Sequence, residues 1–212
     1  MVMIFRWTLR LTGGAIIAAL LMAVLAYFLA ARSLPEYTKT LKVEGITASV
    51  EIVRNNANVP HIFGETDTDV FFGLGYAHAQ DRLWQMTMLR RTAQGRLSEV
   101  FGKRTLSVDT LLRRLDIYRL ASVSVASQDA RTSDALSAYA AGVNMRITEI
   151  NNRSLGRGAP EMFLFGAPIS PWRPADSLAV TKLMALQLSG HLQDEVLRAR
   201  TSLVLPDEAR LS

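Results

Sequence analysis

The stretch Phe72-Gly73-Leu74-Gly75-Tyr76-Ala77-His78-Ala79-Gln80-Asp81-Arg82-Leu83-Trp84-Gln85-Met86 decides the fold. Its period is helical, not alternating, and the pattern begins upstream at Thr66. Asp67 or Thr68 is placed to cap the helix, and acidic residues in the first turn complement its dipole. Phe71, Leu74, His78, Arg82, Gln85 and Leu89 share one side at spacings of three and four. Val70, Ala77, Trp84 and Met88 form a neighbouring stripe. Two stripes predict a helix buried on more than one side. Gly73 and Gly75 each cost about 1 kcal/mol relative to Ala in a helix interior. A helix bears that cost where another backbone must approach closely, and Gly95 then predicts its stop.

Working towards the N-terminus, Ile46 to Arg54 alternates apolar and polar residues and is rich in β-branched side chains, which predicts a strand. Asn55-Asn56-Ala57-Asn58 is a turn signal, and Val59 to Phe63 reads as a second strand. Pro60 has no amide donor, so this strand must sit at an edge or begin there. Working towards the C-terminus, helices are predicted over Val108 to Val125, Ser133 to Ile150 and Asp176 to Leu203. A Gly- and Pro-rich loop, Asn151 to Pro174, carries Phe163, Phe165 and Trp172. The pattern is mainly α with a short N-terminal β-hairpin.

Leu11 to Ala31 carries no charged side chain. As a helix its length of about 31 Å matches the hydrocarbon thickness of a bilayer. Arg6 and Arg10 precede it, which orients residues 1–10 to the cytoplasm and everything after residue 31 to the far side. An uncleaved anchor is the favoured reading because signal-peptide apolar regions are shorter and Leu29-Ala30-Ala31 is a poor cleavage site; a cleaved signal is its rival. Residues 32–45 read as a linker, and 46–212 as a single helical domain.

Composition narrows function further. The net charge of +5 suggests affinity for nucleic acid, but +3 of it lies in the first 40 residues and the remainder is interspersed. No basic stripe is present, so a nucleic-acid partner is excluded. The absence of cysteine removes disulfides, thiolate metal sites and a cysteine nucleophile. The three histidines, His61, His78 and His191, lack zinc-site spacing, and structural hydrogen bonding is the preferred reading for each. No Gly-x-Ser-x-Gly elbow or phosphate-cradling loop occurs. Asp67 and Asp69 are better explained as helix-start charges than as an acid–base pair.

The run from Glu51 to Ile62, with Val59-Pro60-His61, resembles the opening of mature penicillin acylases. Gly73-x-Gly75-Tyr76, the core Ala79-Gln80-Asp81-Arg82-Leu83 and the Gln94-Gly95 stop resemble that family more specifically, and Trp172-Arg173-Pro174 fits it too. The resemblance covers about residues 47 to 200. It implies the helical α-chain part of an N-terminal nucleophile hydrolase with an αββα architecture, made as one precursor and cut into α and β chains. A serine opening the β chain is then the nucleophile, with its own α-amino group as base. Substrates would be acyl amides, including β-lactam side chains and N-acyl homoserine lactones.

None of the thirteen glycines is followed by Ser, Thr or Cys, so no self-cleavage junction stands out. The resemblance therefore assigns no catalytic residue to this chain. The nucleophile and oxyanion donors are expected on a β chain, and these residues alone are expected to be inactive. It places Glu195 as one ligand of a structural calcium shared with β-chain oxygens; the alternative is a solvated residue paired with Arg198 or Arg200. It places Ala185, Leu188 and Ser189 at the acyl pocket, with types unlike those of familiar members, which leaves acyl preference open. Asn55 stands where an acidic residue is usual, and Asn58 where Gly is frequent; Asn tolerates positive φ, so the turn is expected to survive. Tyr76, Gln80, Asp81, Arg82 and Gln85 are expected to be buried and to satisfy one another. A truncated, membrane-anchored binding or structural remnant without turnover is the competing reading.

Overall fold

The structure, a computed structural model, describes residues 2–152, 159, 161–162, 169–190 and 192–204. Among the described residues its regular elements are helices and one two-stranded hairpin. The described residues fall into two compact units, one from residues 1–88 and 129–173, the other from 89–128 and 174–212.

In the first unit, helix α1 (Val2–Ser33) extends beyond the predicted apolar run at both ends. It is long and apolar enough, over Phe5–Arg32, to cross a membrane, and none of that span is buried. Strands β1 (Glu51–Arg54) and β2 (Pro60–Phe63) pair antiparallel, with Arg54 opposite Pro60 and Glu51 opposite Phe63. The turn survives as expected: Asn58 takes φ 60°, and Asn55 Oδ1 accepts from the Ala57 and Val59 amides. Strand β1 is shorter than the predicted Ile46–Arg54. Thr47 explains why, because its amide is spent on the Asp69 carboxylate at 2.8 Å rather than on a ladder.

Helix α2 (Asp67–Ala93) carries the deciding motif. Its cap is Thr66, not Asp67 or Thr68: the Thr66 hydroxyl accepts from the Asp69 amide and donates to the Asp69 carboxylate. Helix α6 (Ala130–Asn151) starts three residues before the predicted Ser133, because Asp129 caps it by accepting from the Thr132 amide at 2.9 Å. The two helices meet main chain to main chain. A Cβ on Gly75 would lie 2.1 Å from the Tyr139 carbonyl oxygen, and one on Gly142 would lie 1.9 Å from that of Phe72. Gly73 gives the same close approach to the hairpin, where a Cβ would meet Ile62 and Val50 methyls at 2.7 Å. The expected reason for the glycines holds.

The expected faces of α2 do not. Phe72, Tyr76, Ala79, Gln80, Leu83 and Met86 are buried, with Ala77, whereas Phe71, His78, Arg82 and Gln85 are exposed. Small residues occupy the contact with α6, so bulk hydrophobicity misidentified the packed side. At Arg82 the backbone leaves helical geometry (φ −135°, ψ 18°).

The second unit begins with the last turn of α2. Gly95 (φ 62°) ends that helix, and its missing Cβ leaves room for Arg113 Cγ and the Asp109 carbonyl. A short helix α3 (Ser98–Phe101) and a 3₁₀ turn (Gly102–Thr105) lead into α4 (Leu106–Leu115) and α5 (Ile117–Val125). The single helix predicted over Val108–Val125 is thus broken at Asp116, which adopts φ 56° and sends its amide to the Arg113 carbonyl. Asp is among the few non-glycine residues that tolerate this conformation.

Pro174 opens α7 (Pro174–Leu188), where a missing donor costs nothing. The predicted helix Asp176–Leu203 is likewise two, α7 and α8 (Leu192–Val204), with Ser189 and Gly190 after the first. Ala93, Leu112, Ile117, Ala121, Ala179 and Leu183 form the core of this unit.

Candidate functional site

Each residue singled out for function has a definite setting. Ala185 and Leu188 lie in the last turn of α7, and Ser189 follows it. All three are exposed, and the Leu188 side chain is 78% exposed. The Ser189 hydroxyl donates to the Leu186 carbonyl at 3.1 Å and its amide to that of Ala185 at 2.9 Å. Glu195 is in the first turn of α8 and pairs with Arg198 at 2.8 Å, both side chains mostly in solvent. The pairing with Arg198 is the alternative anticipated for it.

A calcium ion needs six to eight oxygens. Among the described residues no group of three or more His, Asp or Glu side chains is placed to hold an ion. Glu195 by itself therefore does not fit a metal site; it can contribute at most one arm of a shell built mainly from another chain.

Two of the histidines are described and each has a side-chain partner; His191 lies outside the described residues. His61, on β2 opposite Val53, has Nε2 3.5 Å from Asn55 Nδ2. His78 Nδ1 lies 3.0 Å from the Tyr139 hydroxyl, with the rings edge to face. Burial pushes the Tyr139 phenol up to about 12, and desolvation pushes the His78 imidazole down against a smaller opposing effect of Asp81. Both shifts favour neutral forms at pH 7. The geometry suits a phenol donating to an imidazole and does not generate a nucleophile.

The polar residues of the motif do not form one buried network. Tyr76 and Gln80 are buried; Asp81, Arg82 and Gln85 are exposed. Asp81 receives two hydrogen bonds at 2.9 Å from the Arg54 guanidinium, whose plane lies 3.9 Å from the Tyr37 ring centroid, and a third from the Tyr37 hydroxyl at 3.1 Å. Tyr76 instead donates to Glu149 on α6, as do Lys39 (2.7 Å) and Arg146 (2.8 Å). Burial pushes the Glu149 carboxyl up, but those two cations outweigh it and hold it below the usual carboxylate range. The second unit has a counterpart at Asp176, which accepts from Tyr118 at 2.8 Å and Arg90 at 3.5 Å.

Sequence reasoning did not single out Glu149 or Asp176. The local signals were an Arg146–Glu149 spacing of three and an acid in the first turn after Pro174. Their distant partners had none. Glu149 and Asp176 are each committed to cations and a tyrosine, so they are anchors of packing, not free acids or bases.

Comparison with known proteins places this arrangement. The penicillin amidase family model matches residues 49–211. Penicillin acylase 2 proenzyme from a Pseudomonas species is 36% identical over 73% of this chain and 19% of its own length. Acyl-homoserine lactone acylase QuiP from Pseudomonas syringae pv. tomato is 35% identical over 74% of this chain, again 19% of its own length. The chain thus spans about a fifth of the length of these curated relatives. A solved structure of thermostable penicillin G acylase from Alcaligenes faecalis superposes with a TM-score of 0.60 at 26% identity, covering 72% of this chain and 80% of that one. The fold is thus similar to that of a penicillin G acylase chain, and the chain belongs to the penicillin amidase family.

Proposed function

We propose that these residues are the N-terminal, α-chain portion of an amide hydrolase that cleaves acyl–amine bonds, such as β-lactam side chains or N-acyl homoserine lactones, on the far side of a membrane. The observation carrying this reading is the family match over residues 49–211 combined with coverage of only a fifth of the curated relatives. The solved acylase chain, by contrast, is matched over 80% of its length, so an acylase polypeptide of comparable size exists as a separate chain. The relatives' names include both a proenzyme and a homoserine lactone acylase.

In this reading a β chain supplies the reaction. Its leading serine hydroxyl attacks the amide carbon while its own α-amino group takes the proton. The amine departs with that proton, water attacks the acyl ester, and the acid is released. The α-chain residues contribute shape. Ala185, Leu188 and Ser189 border the acyl pocket, and Glu195 gives one oxygen to a structural calcium whose other ligands are on the β chain.

The exposed apolar side chains of α7 and α8, including Met184, Leu188, Leu197 and Leu203, support a partner on that side of the second unit. Helix α1 supports export, as an anchor over residues 11–31. Expression of the full reading frame tests the proposal. Hydrolysis of phenylacetyl amides, long-chain acyl homoserine lactones or β-lactams by the processed pair is the expected outcome. A downstream sequence with no serine-led chain would instead favour an anchored remnant without turnover.

A further inference from the structure

We propose that the groove between the end of α1, the hairpin turn and the middle of α2 sits in the headgroup layer of the bilayer that α1 enters, and that it takes a phospholipid headgroup. This rests on the anchor reading above. The geometry begins with a short tether. Helix α1 runs to Ser33, and Tyr37 is already held to the folded body by its hydroxyl on Asp81 and by the Arg54 guanidinium over its ring. Only Leu34, Pro35 and Glu36 intervene, so Tyr37 lies within about 14 Å of the last helical residue even at full extension.

Three further hydrogen bonds fasten the same segment. Lys39 donates to Glu149, and Thr47 gives both its amide and its hydroxyl to Asp69. The segment therefore has no slack with which to lift the body away. A bilayer's polar layer is about 5–8 Å deep on each side. A body tied this closely to a spanning helix must meet that layer.

The groove has the composition for it. Its volume is about 930 Å³, and Tyr27 and Leu34 line the α1 side while Val59, His78, Arg82 and Gln85 line the other. Leu34 and Val59 are 73% and 50% exposed, apolar surface offered beside a cation. Arg82 is exposed at the point where α2 loses helical geometry, and a guanidinium recognises a phosphate diester through paired donors. Desolvation holds His78 in its neutral form, and Asp81 is already neutralised by Arg54. Arg82 is thus offered to a phosphate, and Glu161, the other carboxylate lining the groove, suits the ammonium of a zwitterionic headgroup.

The test uses the full protein in bilayer discs of phosphatidylethanolamine and phosphatidylglycerol. The 212 residues contain no cysteine, so single labels can be placed by Val59→Cys at the groove and by Asp134→Cys, which lines a separate small pocket with Asp67 and Phe71. Any cysteine elsewhere in the full protein is first replaced. A spin label near the lipid headgroup is expected to quench a fluorophore at position 59 several-fold more strongly than one at 134. Arg82→Glu is expected to weaken that quenching.

Equal, weak quenching at both positions, in a protein that still resists alkaline extraction from membranes and keeps an intact N-terminus by mass spectrometry, overturns the headgroup site alone. Loss of residues 1–31 with release into solution overturns the anchor reading, and the headgroup site with it.

Discussion

The two units solve the same packing problem differently. In the first, α2 and α6 touch through Gly75 and Gly142, with carbonyl oxygens where side chains would otherwise stand. In the second, short helices interdigitate ordinary side chains, such as Leu112, Ile117 and Leu183, around alanines at positions 93, 121 and 179. Each unit also packs a carboxylate against cationic and tyrosine side chains, Glu149 against Lys39, Arg146 and Tyr76, and Asp176 against Arg90 and Tyr118. The surfaces differ as well. The second unit leaves Val108, Leu111 and Leu115 exposed along one side of α4, and Leu188, Leu197 and Leu203 on α7 and α8. The first unit, α1 apart, keeps its exposed apolar side chains chiefly on the hairpin and the segment before it, at Leu34, Val53, Val59 and Phe63, whereas those of the second lie along its helices.

The largest effect should come from adding one carbon. Gly142→Ala puts a methyl 1.9 Å from the Phe72 oxygen, and because backbone must move on both sides the loss is expected to be about 3 kcal/mol or more. Thermal unfolding should show it exceeding the effect of Leu183→Ala, which removes three carbons from the second unit's core and should cost about 2–4 kcal/mol. If the deletion in the second unit proved the costlier, the distinction between the two kinds of contact would collapse.

Next comes the buried carboxylate pair. Glu149→Ala strands Arg146, whose side chain is 5% exposed, and is expected to cost about 3 kcal/mol in chemical denaturation. Asp176→Ala removes the carboxylate that faces the 7%-exposed Arg90, which keeps other interactions, and should cost less than Glu149→Ala. A smaller effect depends on acid. Hydrogen bonds from the Thr47 hydroxyl and amide, then the Thr66 hydroxyl, hold Asp69 at about 2. That lies below the ~3.9 of an unfolded aspartate. Its stabilisation is therefore complete above about pH 4 and is lost as pH falls towards 2. Asp69→Asn should flatten the pH dependence of the melting temperature over that window, and an unchanged slope would remove Asp69 from the account.

The smallest effect is expected at the open surface. Leu188→Ser or Leu197→Ser should change the stability of this chain by no more than about 0.5 kcal/mol. The same substitutions should weaken capture of a β chain, measured by co-purification, if the surface is an interface.

How much of this was legible in the sequence depended on the range of the physics. The hairpin, its Asn58 turn and the stop at Gly95 follow from local conformational preference and were read correctly. Gly73 and Gly75 announce a close approach, whereas Gly142, the other half of the contact, stands as a lone glycine within α6 with no such local signal. Asp116 breaks a predicted helix because helical periodicity continues through a one-residue change of backbone conformation, and the end of α7 at Leu188 is likewise unmarked by the periodicity. The packed side of α2 was misassigned because alanine, glycine and tyrosine fill it while Phe71 points out. The Lys39–Glu149 pair spans 110 positions, and nothing local to either residue anticipates the other. For Ala185, Leu188, Ser189 and Glu195 the sequence supplied positions only through resemblance, and the fold leaves all four on the surface.

The contact that α2 and α6 make through Gly75 and Gly142 also limits how this protein can change over time. Most core positions drift by small steps, a methylene lost here and regained across the interface. Here the smallest step available, glycine to alanine, already exceeds the space, and no neighbouring side chain can shrink to admit it because the neighbours are peptide groups. Variation elsewhere in the two helices has to be accommodated around a separation that cannot itself be adjusted.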